Sequence, residues 1–484
     1  MDPATVTGLV VAEQVLSTTV EGGAIAAYGL AQSTQPLSAT FKRVSSPAFL
    51  PRSNHSLTVL TGRAYIFGGG DESGKLAGDE VHIVTLPLKK KGNHDGEVDY
   101  KCVPSLGEGE DGKVPGPRAG HMAVAIGERI YLFGGKGTDG QAIEEMGRVW
   151  VFDTNTLGWS YIDPASDTAT TSVPPARYHH GAASSEHPLP QTSASSKASY
   201  SEQITSTIAK LPSLMAKASS PQEPHGSLII CSGLSAPSSP LNDTWLFNIT
   251  TRTWSALPST PSTSPSPPSM ALTYNRLYLI TSTSDFGSEI HYLPITKETY
   301  SDARGEGEVG LTSSKNEWTT LPFPTNPFAP GPRPRKGAGL MPVTTGNGRE
   351  YLLYFLGEKA ATTQPAEPAE KEEERTDKDE PTFWSDSYSY QVPAIPVTAA
   401  GIKDATRQAM GIATGEDTWA EVKVEAGIES KEKDSEGKAH PGPRGWFASC
   451  IVPSQPGSVV LWGGVNGKGE TEGDGWLVDI GTAK

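Results

Sequence analysis

The chain has 484 residues and a formal net charge of −15, which disfavours nucleic-acid or anionic-membrane partners because phosphates would be repelled. Its 52 glycines and 40 prolines predict many turns and short strands. Cys102, Cys231 and Cys450 are too far apart for a metal-ligand spacing or a disulfide framework. The N-terminus lacks a signal-peptide pattern, and no apolar run approaches the ~20 residues of a membrane span. We therefore expect a protein of the cytoplasm or the nucleus that is not secreted.

A short apolar strand that ends at a pair of glycines recurs along the chain. The six copies span 64–69, 129–135, 228–233, 277–282, 351–357 and 459–464. The clearest pairs are Gly68 and Gly69, Gly134 and Gly135, and Gly463 and Gly464. Glycine at such a position permits a positive φ and a close approach of two backbones. Six copies indicate a repeat architecture that uses the whole length as one unit.

The second copy shows the full repeat unit. Pro117-Arg-Ala-Gly-His121 leads into apolar segments at 122–126 and 130–135, and these are followed by 149–153 and 159–162. Four short strands with turn residues between them predict an up-and-down antiparallel sheet. One repeat position near the end of the unit is a tryptophan in four copies: Trp159, Trp254, Trp318 and Trp419.

The sixth copy ends one strand short, at 475–479. The segment 41–44 has the same aromatic-x-x-apolar form as 159–162 and precedes the first repeat. We predict that it completes the last sheet, because a ring closed in this way has no unpaired edge. The expected fold is all-β, a six-bladed β-propeller with four-stranded antiparallel blades. Residues 1–39 are predicted to form an N-terminal arm, and 40–484 the propeller.

Three segments do not fit the repeats. One is rich in serine, at about 185–225, and two are highly charged, at about 358–380 and 425–440. Segments with many charges and few apolar residues bury too little surface to fold alone. We predict that all three are mobile loops inserted into the propeller.

The order of these motifs resembles the kelch repeat. Pro-Arg-x-x-His is followed by an apolar strand ending in Gly-Gly, then Trp-x-Phe-Asp, then Trp, over roughly residues 40–480. The arrangement is similar to that of single-domain fungal kelch proteins in the galactose oxidase superfamily. Because each kelch repeat forms one blade, the resemblance implies a propeller of six blades.

The Pro-Arg-x-x-His motif supplies the candidate binding residues. They are Arg52, Arg118, Arg177, Arg333 and Arg444, together with His55, His121 and His180. Arginines at this position line the pocket of kelch propellers that bind acidic peptides, so the resemblance implies an arginine-lined channel mouth. The alternative is that each arginine ties loops together through backbone carbonyls. For the histidines, structural hydrogen bonds between loops are favoured. The glycine pairs and the four tryptophans are expected to be structural, at blade crossings and between blades.

The sequence predicts no cofactor and no metal. Tyr178-His179-His180 invites comparison with the copper site of galactose oxidase, but it falls on the ordinary repeat motif and lacks a full ligand set. Glu432, Glu436 and His440 are spaced by four in a charged segment, which we interpret as chance. A phosphate-binding glycine loop, a serine nucleophile elbow and a Cys/His cluster are all missing from the sequence.

These features favour a non-enzymatic protein-interaction scaffold that binds an acidic partner segment on the arginine-lined face, since arginine binds carboxylates in bidentate fashion. The alternative is an enzyme that acts on a small metabolite in the same pocket, as a lyase, an isomerase or a specifier-like protein. A secreted copper oxidase is disfavoured. An enzyme should bring carboxylates or histidines together with the arginines, whereas a scaffold should present a broad, open face.

Overall fold

The computed structural model describes residues 34–44, 49–88, 99–165, 172–190, 223–264, 266–284, 287–302, 305–323, 331–359, 383–396, 398–425 and 439–482. Six antiparallel sheets form a ring around a central channel. The prediction of an all-β, six-bladed propeller with four-stranded blades is confirmed.

The strands of each blade follow one another from the channel to the rim. The N-terminal strand β1 (Leu37–Val44) precedes the blades. Blade 1 contains β2 (Ser56–Leu60), β3 (Arg63–Phe67), β4 (Val81–Thr85) and β5 (Tyr100–Val103). Blade 2 contains β6 (Met122–Ile126), β7 (Arg129–Phe133), β8 (Val149–Asp153) and β9 (Gly158–Ile162). Blade 3 contains β10 (Gly181–Ser185), β11 (Ser227–Cys231), β14 (Thr244–Asn248) and β15 (Thr253–Leu257), with the short hairpin β12 (Leu234–Ser235) and β13 (Ser239–Pro240) before β14.

The other three blades carry additions to this pattern. Blade 4 contains β16 (Ser269–Leu272), β17 (Arg276–Ser284), β18 (Gly287–Asp302), β19 (Gly305–Ser313) and β20 (Thr319–Pro322). Blade 5 contains β22 (Gly339–Thr345), β23 (Arg349–Phe355), β25 (Ser387–Gln391) and β26 (Trp419–Glu421), with the short pair β21 (Arg335–Lys336) and β24 (Glu358–Lys359) and the helix α1 (Ala399–Ala409). Blade 6 contains β29 (Ala448–Val452), β30 (Gln455–Trp462) and β32 (Gly475–Thr482), with the short pair β28 (Arg444–Gly445) and β31 (Val465–Asn466).

Strand β1 completes blade 6 and closes the ring. It pairs antiparallel with β32, from Leu37 opposite Thr482 to Val44 opposite Gly475. The predicted pairing of 41–44 with 476–479 is therefore confirmed, but the strand starts at Leu37, within the range assigned to the N-terminal arm. The short strand β27 (Lys423–Val424) adds a parallel pairing on the other side of β1. Both sides of β1 are thus paired over part of its length, which protects the edge.

The apolar core lies between the blades. Each of its six clusters joins two neighbouring blades, including blades 6 and 1, where Trp462 packs with Val59. Trp159 belongs to the cluster between blades 1 and 2, 5.2 Å from Phe67 between ring centroids. Trp254, Trp318 and Trp419 lie at the next three interfaces. A large aromatic side chain at one repeat position thus buries much of the area that holds adjacent blades together.

Two elements were not predicted from the sequence. The strands β18 and β19 extend blade 4 as a hairpin, and Glu308 of β19 accepts hydrogen bonds from the His187 ring (2.6 Å) and the Leu189 backbone N–H (3.1 Å). The helix α1 lies between β25 and β26, and Thr398 caps it by accepting from the Gly401 N–H. No helix in the described parts of the chain is long and apolar enough to span a membrane.

Most of the predicted mobile loops fall outside the described residues. Of the segments at about 185–225, 358–380 and 425–440, the parts 191–222, 360–380 and 426–438 lie there, as do residues 1–33 of the predicted arm. These predictions stay untested.

Candidate functional site at the channel mouth

The channel mouth is formed by the loops that precede the six innermost strands. Each blade contributes one residue at the position two before its innermost strand: Asn54, Gly120, His179, Pro267, Gly337 and Trp446. Their backbones form a chain of hydrogen bonds in one direction. The N–H of Trp446 donates to Gly337, that of Asn54 to Trp446, that of Gly120 to Asn54, and that of His179 to Gly120, at 2.7–2.9 Å. The chain cannot continue to blade 4, because Pro267 has no N–H.

Two aromatic rings meet across this mouth. His179 of blade 3 and Trp446 of blade 6 come from opposite sides of the ring, and their centroids are 5.4 Å apart. Both residues have a positive φ, 52° and 60°, a conformation that is uncommon outside glycine and often marks functional positions. The Trp446 Nε1–H donates to Glu358 at 2.7 Å, which fixes the indole. We call this pair the His179–Trp446 bar.

Glycines on the neighbouring blades make room for the bar. A Cβ atom added to Gly120 would lie 2.5 Å from His179 Cδ2, and one added to Gly337 would lie 2.9 Å from Trp446 Cδ2. Such distances are far below van der Waals contact. The two rings can therefore lean over the adjacent blades only because those positions have no side chain.

A cavity of about 170 Å³ lies at the mouth, half open to solvent. All six blades line it with the first residues of their innermost strands, and no Asp, Glu, Lys or Arg side chain is among the described residues of its wall. Blades 4 to 6 contribute a mostly apolar wall. Its apolar residues are Pro267, Pro268, Met270, Leu340, Met341 and Phe447, and it also includes Ser269 and Ser449. Blades 1 to 3 contribute His55, His121, His179 and His180, among other residues.

Most of the predicted binding arginines are buried behind this wall. In blade 3, Arg177 is fully buried and bonds both carboxylate oxygens of Asp243, at 2.8 and 2.7 Å. It also donates to the carbonyls of Pro175 and Ser232. The same clamp recurs in blades 2, 5 and 6. Its ion pairs are Arg118 with Glu145, Arg335 with Asp386, and Arg444 with Asp474. These guanidinium groups tie loops together, and the carboxylates neutralise their charge. This agrees with the structural role that was the alternative to a binding role for the arginines.

Arg333 and Arg52 differ from the clamp arginines. Arg333 is exposed, and Arg335 occupies the clamp position of blade 5, four residues before the innermost strand, as Arg118 does in blade 2. The assignment of Arg333 to the motif is therefore corrected by two residues, because Pro332-Arg333-Pro334-Arg335 contains the motif start twice. Arg52 is half-buried, and its Nη2 lies 3.0 Å from His82 Nε2 rather than against a carboxylate. Four arginines are thus neutralised by carboxylates, and the described mouth does not present the five-fold arginine cluster that the kelch resemblance implied.

The three motif histidines are inserted between blades. His121 Nε2 lies 3.0 Å from Ser56 Oγ of blade 1. The residues that correspond to Ser56 opposite His180 and His55 are Met122 and Ala448, which offer no hydroxyl. Accordingly, both ring nitrogens of His55 and of His180 lack a hydrogen-bond partner within the described residues.

Burial keeps these imidazoles uncharged. It lowers the pKa of His55 to about 3, helped by the charge of Arg52, and lowers the pKa of His121 and of His180 well below the usual value. Burial, together with Lys136, also lowers the pKa of His179 to about 4. At neutral pH these four imidazoles therefore add no positive charge to the mouth.

The glycine pairs lie where neighbouring blades cross. A Cβ atom on Gly68 would lie 2.5 Å from the Arg118 carbonyl oxygen, and the Gly69 N–H donates to the same oxygen at 2.8 Å. Gly134 and Gly463 make the corresponding approaches to the next blade, and Gly135 and Gly464 donate there. The first glycine of each pair thus accommodates the backbone of the next blade.

Sequence reasoning missed the carboxylate partners and the bar. The carboxylates have a recognisable signal, an acidic residue two positions before an aromatic one at the start of the third strand. Examples are Asp243 before Trp245 and Asp474 before Trp476, where each indole N–H donates back to the carboxylate at 2.6 and 2.9 Å. The bar has no such signal, because the other four blades have Asn54, Gly120, Pro267 and Gly337 at the same repeat position.

The described residues contain no group of three or more His, Cys, Asp or Glu side chains placed to hold a metal. Tyr178 hydrogen-bonds Ser238 through its hydroxyl, at 2.7 Å. Glu432 and Glu436 lie outside the described residues.

No protein-family model matches the chain. Segments of it are similar to parts of other proteins, and each match spans 18% or less of the other protein's length. One is Acyl-CoA-binding domain-containing protein 5 of Arabidopsis thaliana, 32% identical over 120 residues, 25% of this chain and 15% of that protein. Human Host cell factor 1 is 31% identical over 107 residues, 19% of this chain and 5% of that protein. The N-(sulfonatooxy)prop-2-enimidothioate sulfolyase of Thlaspi arvense is 36% identical over 66 residues, 14% of this chain and 18% of the enzyme. A solved structure described as "Structure of YjhT" aligns over 93% of this chain and 99% of its own at 12% identity, with a TM-score of 0.46.

Proposed function

We propose that the protein is a non-enzymatic scaffold that binds a protein partner on the face containing the channel mouth. The observation that carries the proposal is the distribution of the clamp arginines, one in each of four blades and each paired within its own blade. They do not converge on one reacting group. The loops of six blades instead surround a broad mouth, a form that β-propellers commonly use to bind proteins. We further propose that the blades are kelch repeats and that the protein acts in the cytoplasm or nucleus.

The partner segment is proposed to be uncharged or apolar where it meets the mouth. An acidic segment would need arginine charge that Glu145, Asp243, Asp386 and Asp474 already neutralise. Two large apolar side chains are exposed in the loops at this end of the blades, Phe49 (65% exposed) and Met146 (70% exposed). Exposed aromatic and methionine side chains are enriched at the centres of protein interfaces.

The rival function is an enzyme that uses the four imidazoles at the mouth. All four residues line one cavity, as an active site would require, although the ring nitrogens of His55 and His180 are almost fully buried. However, a general base works best when its pKa is near the working pH. The pKa of His55 and that of His179 are lowered to about 3 and about 4, so these rings are weak bases. The electrostatics therefore support the scaffold over the enzyme.

The test is a partner-binding comparison between the two faces of the ring. A partner is first identified by cross-linking of the full chain and then purified. We expect Phe49→Ser combined with Met146→Ser to weaken its binding at least about tenfold, as loss of central interface contacts does. The matched control is Tyr274→Ser combined with Ile402→Ser, at the opposite end of the blades, where both side chains are also exposed.

If only the control variant binds the partner more weakly, the interface lies on the face opposite the channel mouth. Turnover of a small molecule that is lost on substitution of His179 would favour the enzyme. Alanine at Arg118 or Arg177 is unsuitable here, because it would leave a partly buried carboxylate unpaired.

A further inference from the structure

We propose that the break in the hydrogen-bond chain at blade 4 is a binding site for one residue of an extended partner segment, and that this residue carries an uncharged apolar side chain. The inference rests on the proposed function and deepens it, because it says how the partner meets the channel mouth. The site is the gap between His179 of blade 3 and Gly337 of blade 5, beside Pro267 of blade 4.

The hydrogen-bond chain at the mouth has two open ends. In each complete link, the backbone N–H of one residue donates to the carbonyl of the residue at the same position in the preceding blade, at 2.7–2.9 Å. The carbonyl of His179 would accept from blade 4, but Pro267 has no N–H. The N–H of Gly337 would donate to blade 4. Neither group has a hydrogen-bond partner within the described residues.

The two open ends are complementary to one amino-acid residue. A donor for the His179 carbonyl and an acceptor for the Gly337 N–H are what the backbone of a single residue supplies, as Asn54 and Gly120 do in their own blades. Once a partner covers the mouth, either group left unpaired would cost free energy comparable to a lost hydrogen bond. A partner residue that bonds to both ends avoids this cost.

The wall beside the gap selects the side chain of that residue. His179 and Gly337 line the half-open cavity of about 170 Å³, and the half-buried Pro267, Pro268 and Met341 belong to the same wall. An apolar cavity of about 150 Å³ binds benzene, so one leucine, methionine or phenylalanine side chain fits. Because no charged side chain is in the described lining, a carboxylate or an ammonium group would lose its hydration without compensation.

The indole of Trp446 adds an aromatic surface at the donor end of the gap. A Cβ atom added to Gly337 would lie 2.9 Å from Trp446 Cδ2, so the ring lies beside that residue. The hydrogen bond from Trp446 Nε1 to Glu358 holds the ring in place. Fixed aromatic side chains of this kind are frequent at the centres of protein interfaces.

The experiment titrates the full chain with the peptide acetyl-Gly-Gly-Leu-Gly-Gly-amide and follows binding by NMR. Three matched probes differ from it at one place each: an ester oxygen replaces the leucine N–H, glycine replaces leucine, or glutamate replaces leucine. We expect the ester to bind about tenfold more weakly, the effect of one hydrogen bond. The glycine peptide should bind at least about tenfold more weakly, because the buried apolar side chain is lost. The glutamate peptide should not bind.

The substitution Pro267→Ala tests the gap itself. It supplies an N–H that can bond to the His179 carbonyl within the protein, and the peptide must then compete with it. We expect the leucine peptide to bind about tenfold more weakly to this variant, and the ester to bind as well as the peptide. Pro268→Ala is the matched control, since Pro268 lines the same wall one residue further along. It should change the affinity by less than about twofold and keep the difference between peptide and ester.

The proposal is overturned if the leucine peptide does not bind at millimolar concentration, if peptide and ester bind the wild type alike, or if the two proline variants behave alike. The comparison of peptide and ester uses only the wild type, so it decides even where Pro267→Ala does not fold. A cross-linked partner whose binding is unchanged by Pro267→Ala would refute the gap and leave the scaffold standing. The expected peptide binding without any protein partner would refute the scaffold and leave the gap as a peptide site.

Discussion

Arg335 lies with its Nη1 atom 2.8 Å from the Asp386 carboxylate and 2.9 Å from the Leu356 carbonyl oxygen. Its Nε–H donates to the carbonyl of Arg333, two residues earlier. The ion pair therefore ties the loop before the innermost strand of blade 5 to the loop that follows its second strand. The same ion pair is found in blades 2, 3 and 6, so it is a recurring structural feature of the fold.

The first prediction compares the two arginines of this loop. We expect Arg335→Ala to lower the free energy of unfolding by about 3 kcal/mol, because it leaves a carboxylate and a buried carbonyl without their partner. Arg333→Ala is the matched control, since that side chain is exposed, and should change the value by less than about 0.5 kcal/mol. Urea unfolding followed by circular dichroism measures both. Equal effects would show that the clamp is not a stabilising feature.

The blade count and the ring closure could be predicted because they depend on local patterns that repeat. In five blades the innermost strand begins four residues after an arginine, and in the same five blades a glycine follows the second strand. The closing strand was recognisable because Phe41 and Val44 repeat the aromatic-x-x-apolar form of blade 2. Such signals need only a short window of sequence.

The chemistry of the mouth could not be predicted in this way, because it depends on contacts between distant residues. Arg177 and its partner Asp243 are separated by 66 positions, and the motif alone does not show that the charge is neutralised. His179 and Trp446 meet only because blades 3 and 6 face each other across the ring. The hairpin of β18 and β19 was missed for another reason, since its strands interrupt the four-strand pattern of blade 4.

The second prediction concerns closure of the ring. Removing residues 1–44 deletes β1, which would expose Trp476 and Val478 of β32 and remove the buried Leu37. The lost burial and the lost backbone hydrogen bonds should cost about 5 kcal/mol or more. The truncated chain should therefore unfold at a clearly lower temperature. Adding a peptide of residues 34–44 should restore part of the loss, whereas a scrambled peptide should not. An unchanged melting temperature after truncation would contradict the role of β1.

The third prediction separates two costs of replacing a glycine. At Gly68, φ is +62° and an added Cβ would lie 2.5 Å from the Arg118 carbonyl oxygen of the next blade. At Gly74, φ is +75° but nothing lies within 4 Å. Gly74→Ala should cost only the backbone strain of about 1–2 kcal/mol. Gly68→Ala should cost clearly more, because the two blades must move apart. Thermal unfolding of both variants measures the difference, and similar melting temperatures would mean that the crossing is easily deformed.

The last prediction follows from the buried neutral histidines. Their usual pKa is 6.5, and in the folded protein it is about 3 for His55 and well below 6.5 for His180. Between these values the unfolded chain binds protons that the folded chain does not. Stability is therefore full above about pH 6.5 and falls as the pH drops toward 4, by about 1.4 kcal/mol per pH unit for each such histidine.

Urea unfolding at pH 7.5, 6.0 and 5.0 measures this slope. Replacing both His55 and His180 by glutamine removes two of the titrating groups and keeps polar side chains of similar size. We expect the double variant to lose less stability than the wild type between pH 6.0 and 5.0, by roughly 2–3 kcal/mol, whatever its stability at pH 7.5. Parallel curves for the two proteins would show that these imidazoles accept protons in the folded state.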